Sequence, residues 1–263
     1  MAIDLTDLPV PFRMQPGLRR LEANAYRLTA LAPDSALYAQ KQAVVQAGES
    51  RHAVAGFDAA PALQAIAARG DTGQGASNLP VELAFEEDFA VLDGSTGTLP
   101  WLCVCVPSHW APEDKVGLDF AAVHRPVADN AVLLAASRQL VALATSGECW
   151  ERHVWTLSSS GLYDQHPRRH PRRPWPQTQD DDTFVRGCWL RAERQVFFPV
   201  GPGTTQAVFS IRVMLQPLPE AAAVPGAALR LHDWIASMSE AVLAYKNIAP
   251  ARAPLLRWLA QRS

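Results

Sequence analysis

One stretch of the chain carries alternating polar residues of the types that perform chemistry. If Trp189–Gln195 is a β-strand, the side chains of Arg191, Glu193 and Gln195 share one face. Two interpretations follow. The face is either solvated, with ion pairs to the neighbouring strand, or it is the floor of a polar pocket, where buried Arg and Glu must be paired or bind a ligand. The sequence leaves both open.

Histidines are the second group of candidates, and His124 differs from the other six in its context. It falls in a loop between a short and a long predicted helix. Pro126 follows it, restricts the backbone and can aim an imidazole into a pocket. The alternative is an ordinary surface or core histidine. His166 and His170 lie in a polar loop and are expected to be exposed to solvent.

Sequence motifs for nucleotide binding, nucleophilic catalysis and metal binding are absent. There is no GxGxxG after a predicted strand, no GxxxxGK[ST] and no GxSxG. Cys103 and Cys105 would point to one face of a strand, but no second CxxC or HxxxH lies nearby, so we expect buried structural thiols. Together with Cys149 and Cys188 they do not have ferredoxin spacing.

Composition narrows the class of protein. The chain has 263 residues, of which 48% are hydrophobic, and a net charge of −2, as expected for a globular chain without a general affinity for nucleic acid or anionic lipid. No apolar run approaches the roughly 20 residues of a membrane span, and no apolar signal-peptide region follows the N-terminus. Four cysteines do not make a disulfide framework in a chain this long. We therefore expect a soluble, cytoplasmic protein.

The elements that position the candidate residues are predicted from hydrophobic periodicity and turn signals. The helices are expected at 34–48, 61–70, 127–145, 231–242 and 255–261, and a loop is expected at 71–78. The strands are expected at 89–92, 102–106, 149–157, 184–200 and 205–218, with a hairpin turn at Gly201–Thr204. Tight turns join successive strands, except at one helical crossover. This order predicts an α+β fold, a mostly antiparallel sheet with packed helices and no linker between domains.

A long segment without periodicity, 158–182, contains a basic cluster followed by an acidic one. The cluster residues are Arg168, Arg169, His170, Arg172 and Arg173, and then Asp180, Asp181 and Asp182. The pattern is typical of a solvated loop, and the alternative is a loop that docks a partner protein. A structureless stretch of this length inside a domain is usually functional or mobile.

Several short motifs, taken in order, resemble one protein family. They are PFRMQPGLRRL (11–21), EDFAVL (87–92), PSHW (107–110), EDKVG (113–117), VHRPV (123–127), RHVW (152–155), LRAERQ (190–195) and FSIR (209–212). Each motif alone is weak, but their order and spacing resemble the haem-dependent oxidative N-demethylase family from about residue 11 to residue 262.

The resemblance implies a fold, a cofactor and a set of site residues. The implied fold is a PAS-like antiparallel sheet with packed helices, in a single domain over 1–263 that has its core at about 84–218 and flanking helices at 34–70 and 227–262. The implied cofactor is haem b, with His124 as the axial ligand of the iron. The implied catalytic residues are Glu193, Arg152 and Trp155, and the further cofactor-binding residues are Arg194 and Arg212.

The implied activity is oxidative N-demethylation of a small secondary amine such as dimethylamine, with O2 consumed and formaldehyde released. The chain has no flavin or NAD fingerprint and no iron–sulfur cysteine set, so electrons are expected from a separate flavin or iron–sulfur reductase. A homo- or hetero-oligomer fits such a system. Two alternatives stay open: a haem-binding sensor or carrier without turnover, and a haem-free α+β protein that binds a small ligand.

Overall fold

The computed structural model describes residues 3–22, 25–70 and 79–262, and the loop expected at 71–78 lies outside them. A seven-stranded sheet dominates the structure, and every neighbouring pair of its strands is antiparallel. The strands are β1 (Arg19–Leu21), β2 (Arg51–Ala53), β3 (Asp88–Asp93), β4 (Trp101–Cys103), β5 (Cys149–Ser158), β6 (Trp189–Pro199) and β7 (Gln206–Pro217).

The order across the sheet is β1-β5-β6-β7-β3-β4-β2, so the long strands β6 and β7 lie near its middle. The predicted turn at Gly201–Thr204 joins them. Gly203 in this turn has a φ of 76°, a left-handed conformation that glycine adopts without a steric penalty. An antiparallel sheet with packed helices confirms the predicted α+β class.

Eleven α-helices accompany the sheet within the described ranges. They are α1 (Ala36–Gln46), α2 (Ala60–Ala67), α3 (Val81–Ala84), α4 (Phe120–His124), α5 (Ala131–Ala135), α6 (Ser137–Ala144), α7 (Asp181–Arg186), α8 (Leu218–Ala222), α9 (Ala227–Ala236), α10 (Glu240–Tyr245) and α11 (Arg252–Ala260). Two short 3₁₀ helices cover Pro112–Asp114 and Ala249–Ala251. Among these elements, none combines the length and the apolar character that a helix needs to cross a bilayer.

The two faces of the sheet are buried in different ways. We call the face that carries Glu193 the front face and the opposite one the back face. On the back face, Phe198 lies in an apolar cluster with Ile66 of α2, and Leu190 lies in another with Trp234 of α9. Burying one such side chain contributes roughly 1.5–3 kcal/mol, so the back face holds much of the core. The front face packs under α4 to α6 and borders a cavity.

The prediction of a single long helix at 127–145 is wrong. The structure has two helices there, α5 and α6, which break at Ala136. The Ser137 hydroxyl donates to the carbonyl oxygens of Leu133 at 3.3 Å and Leu134 at 2.6 Å. Such side-chain bonds compete with the backbone bonds of a continuous helix. Residues that share one stripe in the sequence therefore belong to two short helices.

The observed strand begins later than the one predicted at 184–200. Phe184 belongs to α7, and β6 begins at Trp189. The Asp180 carboxylate caps α7 by accepting a hydrogen bond from the backbone N–H of Thr183 at 2.8 Å. This local cap stabilises a helix in a short apolar run whose periodicity does not distinguish helix from strand.

Short elements account for the remaining differences from prediction. The helix expected at 231–242 is divided into α9 and α10, because the Ser239 hydroxyl accepts a hydrogen bond from the Val242 N–H at 3.2 Å and starts a new helix. The edge strands β1 and β2 are not predicted by the sequence. Each has three residues, too few for an alternating pattern to be detected.

A buried ion pair connects α1 to the sheet. Lys41 has no exposed surface, and its Nζ lies 3.0 Å from Oδ1 of Asp88 on β3. Nζ also donates to the carbonyl oxygens of Phe85 at 3.1 Å and Glu87 at 2.7 Å. The other carboxylate oxygen of Asp88 accepts from the Val106 N–H at 2.8 Å.

Replacing Lys41 by Met should lower the free energy of unfolding by about 3–5 kcal/mol, because it leaves the Asp88 carboxylate buried without a counter-charge. Arg20 pairs with Glu148 on the surface, and Arg20→Met should cost at most about 1 kcal/mol. Urea denaturation of both variants measures the difference. Equally small losses would show that the buried pair does not hold α1 in place.

Candidate functional site

The polar residues of the front face form the floor of a cavity of about 780 Å³. Arg191, Glu193 and Gln195 of β6 line it, together with Arg152 of β5, which is the cross-strand partner of Gln195. The volume lies within the roughly 300–1,000 Å³ of small-molecule and cofactor sites. Of the two interpretations of this alternating segment, the structure supports the pocket floor.

A continuous series of hydrogen bonds crosses this floor. Arg191 Nε donates to Ser108 Oγ at 2.7 Å, and the Ser108 hydroxyl donates to Oε1 of Glu193. From the other side, Arg152 Nε donates to Oε1 of Gln195 at 2.6 Å, and Gln195 Nε2 donates to Oε2 of Glu193 at 2.6 Å. Two neutral side chains therefore stand between the carboxylate and the two guanidinium groups.

The cavity lining carries more positive than negative charge. Its cationic residues are Arg13, Arg19, Lys115, Arg152, Arg172, Arg191 and Lys246, and its acidic residues are Asp7, Asp114 and Glu193. Asp7 pairs with Arg19, and Asp114 pairs with Arg168, which lies outside the lining. Glu193 is left to face the remaining cations.

Desolvation acts on three of these cations. Burial lowers the pKa of Arg152, lowers the pKa of Arg191 to about 10 and lowers the pKa of Lys246 to about 8, and attraction to Glu193 offsets this only in part. Removing a charge from water without full compensation is unfavourable. The cavity is therefore suited to a ligand that brings negative charge.

His124, the last residue of α4, reaches the same cavity from its helical wall. Its Nδ1 lies 2.8 Å from the carbonyl oxygen of Phe120. Because a carbonyl oxygen only accepts, Nδ1 carries the proton and Nε2 keeps its lone pair. Burial lowers the pKa of His124 to about 4, and Arg152 acts in the same direction. The imidazole is therefore neutral at pH 7.

The part of the cavity around His124 is apolar. The centre of the Phe120 ring lies 4.1 Å from that of the His124 ring, and the rings of Phe197 and Phe209 stack with their centres 4.5 Å apart. Apolar residues of β3, β4, α5 and α6 complete this part, namely Ala90, Leu92, Leu102, Leu133, Leu140 and Ala144. A polar floor beside an apolar wall suits an amphipathic ligand.

Trp155 borders the cavity at the edge of β5. Strand alternation places it on the back face, but β5 pairs with β1 only over Cys149–Glu151, which leaves the rest of this edge without a neighbouring strand in the described residues. The Trp155 ring stacks on His153 with centres 5.9 Å apart. Its side chain is buried, and its Nε1 has no partner in the described part of the chain.

Arg194 and Arg212 lie on the back face and are not among the residues that line the cavity. Arg194 Nε donates to Oε1 of Glu151 at 2.5 Å, and Arg212 Nε donates to Oε2 of Glu86 at 2.7 Å. The structure therefore brings His124, Arg152, Trp155 and Glu193 together at one cavity, but not these two arginines.

Three further cavity residues were not singled out for a site role by the sequence. Ser108 and His109 belong to the PSHW motif, which was the available signal, whereas Lys246 follows an ordinary apolar helix and has none. His109 has a left-handed backbone with a φ of 61°. Burial lowers its pKa to about 4, assisted by the charges of Arg172 and Arg191, so it is a second neutral imidazole at the cavity.

Contacts to the rest of the protein anchor the segment 158–182, while Arg168, Arg172, Arg173 and Asp180 are exposed to solvent, as in the solvated-loop interpretation. His166 is 3% exposed, and its Nε2 lies 3.1 Å from Oε2 of Glu113, so the expectation that His166 is exposed is wrong. Arg168 forms an ion pair with the same carboxylate. His170 is half-buried, with 43% of its side chain exposed, so the expectation of exposure holds for it only in part. These internal contacts leave less of the basic cluster for a docking partner.

The four cysteines are buried free thiols, which confirms that expectation. None of them lines the cavity. Among the described residues, no group of three or more His, Cys, Asp or Glu side chains is arranged to hold a metal ion directly. The chemistry-bearing residues therefore converge at the cavity rather than at the cysteines.

Comparison with known proteins gives one family. The family model described as haem-dependent oxidative N-demethylase, alpha subunit-like, matches residues 80–256, about two thirds of the chain. The matched range contains His124, Arg152, Trp155 and Glu193. No curated protein sequence matches the chain significantly.

Replacing Ser108 by Ala should interrupt the series of hydrogen bonds across the cavity floor. Arg191 and Glu193 each lose a partner, so the free energy of unfolding should fall by about 1–3 kcal/mol. Ser159 is the control, because its exposed hydroxyl donates to the Arg173 carbonyl at 2.7 Å, and Ser159→Ala should cost about 0.5 kcal/mol. Denaturant titrations compare them, and equal losses would contradict the prediction.

Proposed function

The chain belongs to the family of haem-dependent oxidative N-demethylase alpha-subunit-like proteins, and on that premise we propose that its cavity binds haem and oxidatively demethylates a small secondary amine. One observation carries this proposal. A single cavity combines a neutral imidazole with a free Nε2, an apolar wall and a surplus of cations. A non-covalently bound haem needs these three features, for its iron, its porphyrin ring and its two propionates.

In this proposal, His124 would hold the haem iron through Nε2. The bond from its Nδ1–H to the Phe120 carbonyl fixes the tautomer and the orientation of the ring, as is usual for metal-bound histidines. Neutral imidazole is the form that binds iron.

The surplus cations support haem b in particular. Arg13 and Arg172 are exposed and also line the cavity, so they lie at its mouth, and Lys115 is half-buried beside it. Such cations form charge-assisted hydrogen bonds with carboxylates and suit the two propionates. Because no cysteine lines the cavity, no thiol is positioned for a thioether-linked haem.

A bound haem supplies oxygen activation and oxidising power, which protein side chains lack. Arg152 donates through Nε to Gln195, and its two terminal nitrogens have no partner among the described residues, so they are suited to a developing negative charge on oxygen. Glu193 keeps lone pairs beyond the two it offers to Ser108 and Gln195. It is suited to accept the N–H of the amine and to take up its proton.

Trp155 contributes an aromatic surface beside the cavity and an indole N–H that has no partner among the residues that the structure describes. An aromatic face stabilises a small alkylammonium ion by a cation–π interaction. We propose no direct cofactor contact for Arg194 and Arg212. Their ion pairs with Glu151 and Glu86 stabilise β6 and β7 from the back face instead.

The proposed function also requires an electron donor and a cellular compartment. Electrons come from a separate flavin or iron–sulfur reductase, and the alpha-subunit description of the family supports assembly with other subunits. The sheet with helices over its front face supports a PAS-like domain over 1–263 with its core at about 84–218. The buried free thiols fit the reducing environment of the cytoplasm.

Replacing His124 by Ala tests the ligand. The wild-type protein loaded with haemin should show a Soret band, and His124→Ala should abolish or shift it and weaken haem binding at least about tenfold. His170→Ala, outside the main cavity, should leave the band unchanged. An unchanged band in His124→Ala would refute the assignment. A wild-type protein without a Soret band would favour the haem-free ligand-binding alternative.

Replacing Arg152 by Met tests the role of the front face. With reductant, O2 and dimethylamine, Arg152→Met should lower kcat/KM for formaldehyde formation about 10²–10³-fold. Arg194→Met removes a cation of the same strands from the back face and should retain activity per bound haem. Equal losses would contradict the assignment. A wild-type protein that binds haem and forms no formaldehyde would favour the sensor or carrier.

A further inference from the structure

The chain contains only three lysines, and they occupy three different environments. Lys41 has no exposed surface and forms the buried ion pair with Asp88. Lys115 and Lys246 both line the cavity. A reagent that attacks amines therefore has few targets in this protein, and two of them are at the proposed active site.

Lys246 differs from Lys41 in its partners. Its Nζ donates to the backbone carbonyl of Trp155 at 2.9 Å and lies 5.8 Å from the centre of the Phe12 ring. Glu193 is close enough to act on it electrostatically, but Nζ forms no ion pair within 4 Å in the described residues. Lys246 is therefore an amine at a cavity wall, held by one neutral acceptor and by an aromatic ring.

Burial makes the neutral form of Lys246 more populated than that of an ordinary lysine. Burial lowers its pKa to about 8, and the attraction of Glu193 opposes this only in part. At pH 7 its neutral fraction is about two orders of magnitude larger than that of an ordinary lysine. A neutral amine is a nucleophile, and lysines desolvated at the wall of a pocket, as Lys246 is here, form Schiff bases with carbonyl compounds.

We propose that Lys246 is a carbonyl-reactive residue that captures a small aldehyde in the cavity as a reversible imine. The inference rests on the proposed function, because oxidative N-demethylation releases formaldehyde in this cavity. It adds a covalent site for the product, separate from the residues that hold the amine substrate.

The step needs no oxidant or reductant. The lone pair of Nζ attacks the carbonyl carbon, the C–N bond forms, and the electron pair of the C=O bond moves to oxygen, which takes up the proton lost from nitrogen. The resulting carbinolamine loses one water molecule as the C=N bond forms. Addition of water reverses both steps and returns free formaldehyde and the amine, so capture delays release of the aldehyde without consuming it.

Reductive methylation measures directly how fast each lysine forms an imine. The full-length, haem-loaded protein is treated at pH 7 with ¹³C-formaldehyde and cyanoborohydride, which reduces an imine to a stable N-methyl group. A reference peptide with one lysine and a blocked N-terminus is included, and site-resolved mass spectrometry follows each lysine. Lys246 should be labelled first among the three lysines and about tenfold faster than the peptide. Lys41 should stay unlabelled, because it is buried and paired.

Two conservative variants complete the experiment. Lys246→Arg keeps the charge but cannot form the imine, so it should lose the fast label and keep the Soret band. Lys115→Arg should retain the fast label. If Lys246 in the wild-type protein is labelled no faster than the reference peptide, or more slowly than Lys115, the proposal is overturned, and this wild-type result decides even where a variant does not fold. Fast labelling in a protein without a Soret band would refute the haem proposal but support the reactive lysine.

Discussion

The site depends on how the half-buried carboxylate of Glu193 is held between the guanidinium groups of Arg191 and Arg152. Glu193 accepts hydrogen bonds from Ser108 and Gln195, and each of these accepts one from an arginine. The neutral side chains distribute the charge without placing Glu193 in a closed ion pair. The carboxylate therefore stays oriented toward the cavity and keeps lone pairs for a ligand. A direct salt bridge would use those lone pairs for stability alone.

Strand β6 contributes side chains to both the apolar core and the cavity. Along β6, Leu190 and Val196 are fully buried in the apolar clusters of the back face, whereas Glu193 and Gln195 line the cavity. Because side chains alternate along a strand, the apolar packing of one face fixes the position of the polar residues on the other. A slip by one residue would exchange the two faces, so the stability of the sheet protects the geometry of the site.

Charge balance connects the proposals. A surplus of cations is costly inside a protein and becomes favourable when an anionic ligand enters, and on the proposed function that ligand is the pair of haem propionates. The same desolvation leaves His124, the proposed iron ligand, neutral and increases the share of Lys246 that is a neutral amine. One physical cause thus sets the protonation of the ligand and of the reactive amine.

Local sequence predicts the alternation of Arg191, Glu193 and Gln195, the turn at Gly201–Thr204 and the α+β order of elements, because strand period and turn conformation are properties of neighbouring residues. The ordered motifs also identified the family. Tertiary structure alone decided that the alternating face is a cavity floor, that Ser108 completes its hydrogen bonds and that Lys246 reaches the same space. These facts depend on contacts between segments far apart in the chain, and burial and charge balance arise only when such segments pack together.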